Sequence, residues 1–127
     1  MKIDHVAIYV NDLEAEKNFF EKYFNAKASS KISSEDFSYY FLKFEDGSRL
    51  EIMSANSVDA KSRYRTGFHK MVILLDDRKD VDDFMKKIYA DGVIAEVPRE
   101  IDDYYAAVVV DPEGNEIIVM ALINLPF

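Results

Sequence analysis

The sequence predicts an α+β protein made of paired βαβββ modules, with curved mixed sheets around a central cleft. Three observations predict it. The first is an internal repeat, the feature that fixes architecture before any single residue does. HVAIYV begins at His5 and HKMVILL at His69, Phe20 and Phe84 each follow fifteen residues later, and EDGSRLEIM (45–53) aligns without a gap onto PEGNEIIVM (112–120). The second is that each repeat holds one segment of helical period among segments of period two. The third is a pair of turn signals, Asp46-Gly47 and Asp111-Pro112-Glu113-Gly114-Asn115, between the last two strands of each half.

Taken in order, residues 3–10 alternate and are rich in Ile and Val, which predicts a strand. Asn11 and Asp12 end it and offer a helix cap, with Glu14 as the capping-box partner of Asn11. A helix over about 12–24 carries Leu13, Phe20 and Phe24 on one stripe, with Phe19 and Tyr23 beside it. Strands follow over about 27–33, 38–45 and 48–54, and the connector 55–67 loses the apolar period. The second half repeats the order. A strand over about 69–75 precedes a helix over about 78–91, which places Val81, Phe84, Met85 and Ile88 on one face and ends at Gly92. Strands over about 93–97, 104–110 and 115–122 complete it. The chain thus reads as a single domain, 1–127, of modules 1–54 and 68–127.

Composition narrows the function. The 127 residues suit one domain rather than two independent ones. A formal charge of −8 disfavours nucleic acid, whose phosphates need clustered Lys and Arg. There is no cysteine, which excludes disulfides and thiolate metal sites. The opening MKIDHVAIYV reads as a strand rather than a signal peptide, and no apolar run approaches a membrane span, so a cytoplasmic protein is expected. The exposed edges of two concave sheets favour a homodimer.

Strand alternation nominates the site. His5, Ala7 and Tyr9 share a face, as do Arg49, Glu51 and Met53; the repeat sets His69, Met71 and Ile73, and Glu116, Ile118 and Met120, on the corresponding faces. All are expected to point away from the helices and into the cleft. Two imidazoles and a carboxylate, His5, His69 and Glu51, suit a divalent Zn, Ni, Mn or Fe ion. Arg49 is placed to meet an anionic substrate, and Tyr39, Phe41, Tyr104 and Tyr105 to wall a pocket. Lys61, Arg63 and Arg65 form a basic cluster in the connector.

The stretches DHVAIYVNDLEAEKNFF, GSRLEIM, GFHKMVILLDD and VVVDPEGNEIIVM, in this order and spacing, resemble the vicinal oxygen chelate superfamily. That group holds glyoxalases, bleomycin-resistance proteins, fosfomycin-resistance enzymes and extradiol dioxygenases. The resemblance implies a divalent metal held by the first-strand residue of each module and by last-strand carboxylates. His5, Glu51 and His69 match three positions, and Ile118 occupies the fourth. Glu116 lies two residues earlier on the same face, roughly 6.5–7 Å along a strand, and only a bulge could re-aim it. The resemblance further implies a small-molecule substrate and a lyase or isomerase that acts next to a carbonyl through a metal-stabilised enediolate, with Glu51 or Glu116 as base. A metal-free, bleomycin-type binding protein and a dioxygenase-like enzyme are the alternatives.

Overall fold

A computed structural model of the chain describes residues 3–56 and 70–123. Its contacts group into two units, Met1–Ala60 and Lys61–Phe127. Each is a mixed sheet backed by one helix, so the α+β class is as the sequence predicts. Among the described residues no helix is long and apolar enough to cross a membrane.

In the first unit β1 (Val6–Tyr9) runs parallel to β5 (Arg49–Ala55), which pairs antiparallel with β4 (Phe37–Lys43). Two short strands, β2 (Lys27–Ala28) and β3 (Ile32–Ser33), line the far edge of β4. They replace the single strand expected over 27–33. Ser29 accounts for the break, because its Oγ accepts from the backbone N–H of Phe41 at 3.0 Å and so takes the place of a ladder carbonyl. Helix α1 (Leu13–Phe24) starts at Asp12, whose side chain accepts from the Ala15 N–H at 3.0 Å. Asp12 is the cap, not Asn11, and Glu14 accepts from the Tyr40 hydroxyl at 2.7 Å instead of closing a capping box. The helix buries Leu13, Phe19 and Phe20 against β4 and β5, and Val10, Phe20, Leu42, Leu50 and Ile52 are at most 2 % exposed.

The second unit repeats this plan. β6 (Met71–Leu74) is parallel to β9 (Glu116–Leu122), β9 is antiparallel to β8 (Tyr104–Val110), and β7 (Arg99–Ile101) forms the edge. The strand expected over 93–97 contracts to one bridge, Ala95 with Val109. Pro98 then interrupts pairing, since it has no N–H to give, before the ladder resumes as β7. Helix α2 (Arg78–Ala90) starts at Asp77, whose side chain accepts from the Asp80 N–H at 2.9 Å, and gives way to Gly92 at φ +70°. In the β8–β9 turn the buried Asp111 carboxylate accepts from the N–H groups of Glu113 and Asn115 and from the Asn115 side-chain amide. Gly114, at φ +81°, supplies the left-handed residue that this turn requires.

Sheet register fixes how the two units correspond. Ala7 is level with Glu51, and Val72 with Ile118. The Val10 N–H donates to the Met53 carbonyl, and the Leu75 N–H to that of Met120. The helices are capped by Asp12 and Asp77. From the first strand into the helix the offset is therefore 65 residues (12 to 77, 10 to 75), one more than the step from His5 to His69. Lys70, not His69, corresponds to His5, and Met85, not Phe84, corresponds to Phe20. Burial agrees: Phe20 and Met85 are each 1 % exposed, while Phe84 is only partly buried.

The face expected for Met71 and Ile73 is corrected accordingly. They are level with Ile117 and Val119, which are buried on the α2 side, whereas Val72 and Leu74 share the open face with Ile118 and Met120. A one-residue slip turns over every side chain of a strand. The later alignment, 45–53 on 112–120, holds, so Glu51 and Ile118 are equivalent. His69 lies outside the described residues.

Candidate functional site

The helices cover one face of each sheet and leave the other open. On the open face of the first unit stand His5, Arg49, Glu51 and Met53, with Phe37, Tyr39 and Phe41 of β4 alongside. The His5 Nδ1 lies 2.8 Å from Asp4 Oδ2, and its Nε2 lies 3.7 Å from Glu51 Oε2. Arg49 also bonds Asp4 and lies over the Phe41 ring, with its guanidinium carbon 4.8 Å from the centroid. The His5 ring meets Phe41 edge-on at 5.0 Å, Phe41 meets Tyr39 edge-on at 5.8 Å, and Tyr39 stacks on Phe37 at 6.0 Å. A polar corner thus adjoins a continuous strip of rings.

The Asp4 contact determines which way His5 works. With Nδ1–H donated to the carboxylate, a neutral ring presents Nε2 as an acceptor. Glu51 is an acceptor too, and 3.7 Å is too long for a direct hydrogen bond. The gap between them suits a donor or a cation.

Asp4 is held below the usual aspartate range, first by the hydrogen bond from His5 and then by the charge of Arg49. With a lowered folded-state pKa, its bonds are intact above the ordinary aspartate range and are lost as pH falls through the lowered value. Carboxyl carbon NMR should therefore give Asp4 a midpoint below that of an unstructured aspartate. Arg49→Ala should raise that midpoint; an unchanged midpoint would show that Arg49 does not act on Asp4.

On the open face of the second unit a concavity of about 370 Å³ is lined by Lys70, Glu116, Ile118 and Met120, with Tyr104, Ala106 and Val108 from β8. Glu116 keeps its place two residues before Ile118. The β8–β9 register runs unbroken from Tyr104–Leu122 to Val110–Glu116, so no bulge re-aims it. Of the predicted wall residues, Tyr39 and Phe41 are on the open face. Tyr105 is not: it is 8 % exposed on the helix side, where its hydroxyl donates to Asp82 at 2.6 Å beneath Arg78. The bond to Asp82 pushes the Tyr105 pKa up. Arg49, a predicted substrate contact, is engaged by Asp4. The connector cluster Lys61, Arg63 and Arg65 lies outside the described residues.

Asp4, Lys70 and Phe37 were not among the residues singled out from sequence. The two helix caps held the signal for Lys70, because counting back seven residues from Asp12 and from Asp77 reaches His5 and Lys70.

The donor set can be tested against the metal that the superfamily resemblance implies. His5 and Glu51 can supply one nitrogen and one oxygen. The corresponding places in the second unit hold an ammonium group, Lys70, and an aliphatic side chain, Ile118, neither of which ligates a divalent ion at neutral pH. Among the described residues no group of three or more His, Cys, Asp or Glu is placed to hold a metal. His5 and Glu51 supply two of the three or four protein ligands such ions take, and the third ligand expected from sequence, His69, lies outside the described residues.

Structures of known proteins share this fold. A glyoxylase/bleomycin resistance protein/dioxygenase domain from Frankia sp. EAN1pec superposes with a TM-score of 0.87 at 14 % identity, over 96 % of this chain and 98 % of that one. A possible glyoxalase from Bacillus cereus, 28 % identical, superposes at 0.75 over 94 % and 98 %. A genomically encoded fosfomycin resistance protein from Listeria monocytogenes, crystallised with Mn(II) and sulfate, is 17 % identical and superposes at 0.74 over 94 % and 91 %. No curated protein matches the chain in sequence. The family model of the Glyoxalase/Bleomycin resistance protein/Dioxygenase superfamily matches residues 2–119, nearly the whole chain, and the chain belongs to that superfamily.

Proposed function

We propose that this protein binds a small, partly planar organic molecule without a resident metal. The observation that carries this reading is the pair of facing acceptors, His5 Nε2 and Glu51 Oε2, 3.7 Å apart and beside the rings of Phe41 and Tyr39. A ligand N–H or O–H satisfies both acceptors, and a flat apolar body covers the ring strip. Asp4 holds the ring in place and selects the tautomer in which a neutral imidazole accepts at Nε2, so the corner is organised before the ligand arrives. The reading does not require turnover. Lyase, isomerase or dioxygenase chemistry routed through a metal would need donors where Lys70 and Ile118 stand, and Glu51 or Glu116 as base would lack its electrophilic partner.

One observation favours a second reading. The 3.7 Å separation is near the bite of two ligands at about 2.0–2.2 Å from one ion, with Asp4 buttressing the histidine. Under that reading His5 and Glu51 capture a divalent Zn, Ni, Mn or Fe ion, and His69 supplies the third ligand expected from sequence. Elemental analysis, together with a thermal-shift screen of planar heteroaromatic compounds on chelator-treated protein, separates the two. The expected result is less than a tenth of an equivalent of metal (~0.1 per chain, against the full site of a metalloprotein). A ligand that stabilises wild type but neither His5→Ala nor Glu51→Ala is also expected. About one equivalent of metal, lost in His5→Ala and His69→Ala, would establish the second reading instead.

A further inference from the structure

The charged residues of the second unit's concavity are of a different kind from those of the first unit. Extending the β6–β9 register by one residue sets Lys70 level with Glu116 on neighbouring parallel strands, both on the open face. Neither forms an ion pair with another described residue, whereas Arg49, Arg78 and Lys79 all do. Beyond this charged end the floor is apolar: Ile118 and Met120 of β9, Ala106 and Val108 of β8, with Tyr104 at the side. The other charges on the rim, Glu96, Arg99 and Asp102, are solvent-exposed and therefore screened.

We propose that this concavity is a binding site for an apolar α-hydroxy or α-amino acid. This rests on the reading above, that the open faces bind small molecules. The Lys70 ammonium takes the carboxylate of the ligand, and the Glu116 carboxylate accepts from the hydroxyl or ammonium on its α-carbon. The side chain of the ligand lies on Ile118, Met120 and Val108. A plain carboxylic acid satisfies Lys70 but brings its charge beside Glu116 with nothing to compensate. A neutral ligand offers Lys70 no anionic acceptor. Adjacent groups of opposite sign at one end of an apolar floor select a ligand with an acceptor and a donor on neighbouring carbons. A volume of about 370 Å³ accommodates such a molecule. Lys70, which corresponds to His5, thus gives this face a fixed monovalent cation in place of an imidazole.

The test is an amide NMR titration of the full-length protein with four probes: phenylalanine, 3-phenyllactate, 3-phenylpropionate and 3-phenyllactamide. Phenylalanine and phenyllactate should shift the amides of Lys70, 104–108 and 116–120, and should bind about tenfold more tightly than the propionate and the lactamide, as one charge-assisted hydrogen bond implies. Lys70→Met should remove the advantage of acid over amide. Glu116→Gln should remove the advantage of the α-substituted acids over the propionate. Both residues sit on an open sheet face, so the variants should fold, and their spectra will report this directly. Equal binding of all four probes, no loss in Lys70→Met, or no shift in 70–74 and 104–122 with any probe would overturn the proposal. Shifts confined to 37–55 would overturn it too, while leaving metal-free binding by the first unit in place.

Discussion

Replacing Val119 with glutamate is expected to destabilise the protein by about 3–5 kcal/mol, while the same change at Ile118 is expected to cost about 1 kcal/mol or less. The two positions are neighbours on one strand and differ only in the face they serve. Val119 is 0 % exposed, on the side where β9 meets α2 with Ile117 and Ala121. A carboxylate there has no partner and no water. Ile118 lines the open concavity, where a carboxylate keeps most of its hydration. Urea unfolding midpoints of the two variants measure the difference. Ile118→Glu also bears on the metal question, since it installs the carboxylate that the superfamily resemblance places there. Equal destabilisation by the two changes would mean that the open face is not open in the folded protein.

Much of this architecture can be read in the sequence because the relevant signals are local. The unbroken apolar run from 104 to 110, bounded by Asp103 and Asp111, gives β8 to the residue, and Asp46-Gly47 and Asp111–Asn115 become the turns that their chemistry dictates. Gly92 ends α2 for the same reason. The elements that differ from expectation do so for two different reasons. Residues 27–33 split because the Ser29 hydroxyl competes for an N–H of β4, and 93–97 loses its ladder ahead of Pro98. The first effect shows in no local pattern, whereas the second has a local signal in Pro98, which has no N–H to give.

The face on which the candidate residues lie was legible in one half only. His5, Glu51, Arg49, Tyr39 and Phe41 share the open face of the first unit as their alternation predicts. In the second unit, matching histidine to histidine was the natural anchor for the repeat, yet it is a coincidence of residue type one position out of register. Backbone constraints are the safer anchor. A cap must sit where the helix begins, so Asp12 and Asp77 correspond, whereas an imidazole can occur on either face of an edge strand. The misplacing of Tyr105, expected in the pocket wall, has a separate cause. Without the β8–β9 register nothing in the pair Tyr104-Tyr105 says which ring faces α2.

The same shift sets the helix cores, and there it has a large energetic consequence. Met85→Ala is expected to cost about 2–5 kcal/mol and Phe20→Ala about 3–5 kcal/mol, the range for emptying a buried site that its surroundings cannot refill. Each residue is 1 % exposed, with Val81 and Ile88 beside Met85 on α2, and Phe19 and Leu13 beside Phe20 on α1. Phe84→Ala should cost clearly less than Met85→Ala, although it deletes the larger side chain. Phe84 is only partly buried, so part of its surface already faces water in the folded protein. Side-chain size alone orders the two residues of α2 the other way, and so does a repeat anchored on His5 and His69, because it sets Phe84 in the place of Phe20. Urea midpoints for the three alanine variants decide between the orders. A Phe84→Ala cost equal to that of Phe20→Ala, with Met85→Ala mild, would restore the 64-residue repeat (5 to 69, 20 to 84) and with it the equivalence of His69 and His5 in the repeat.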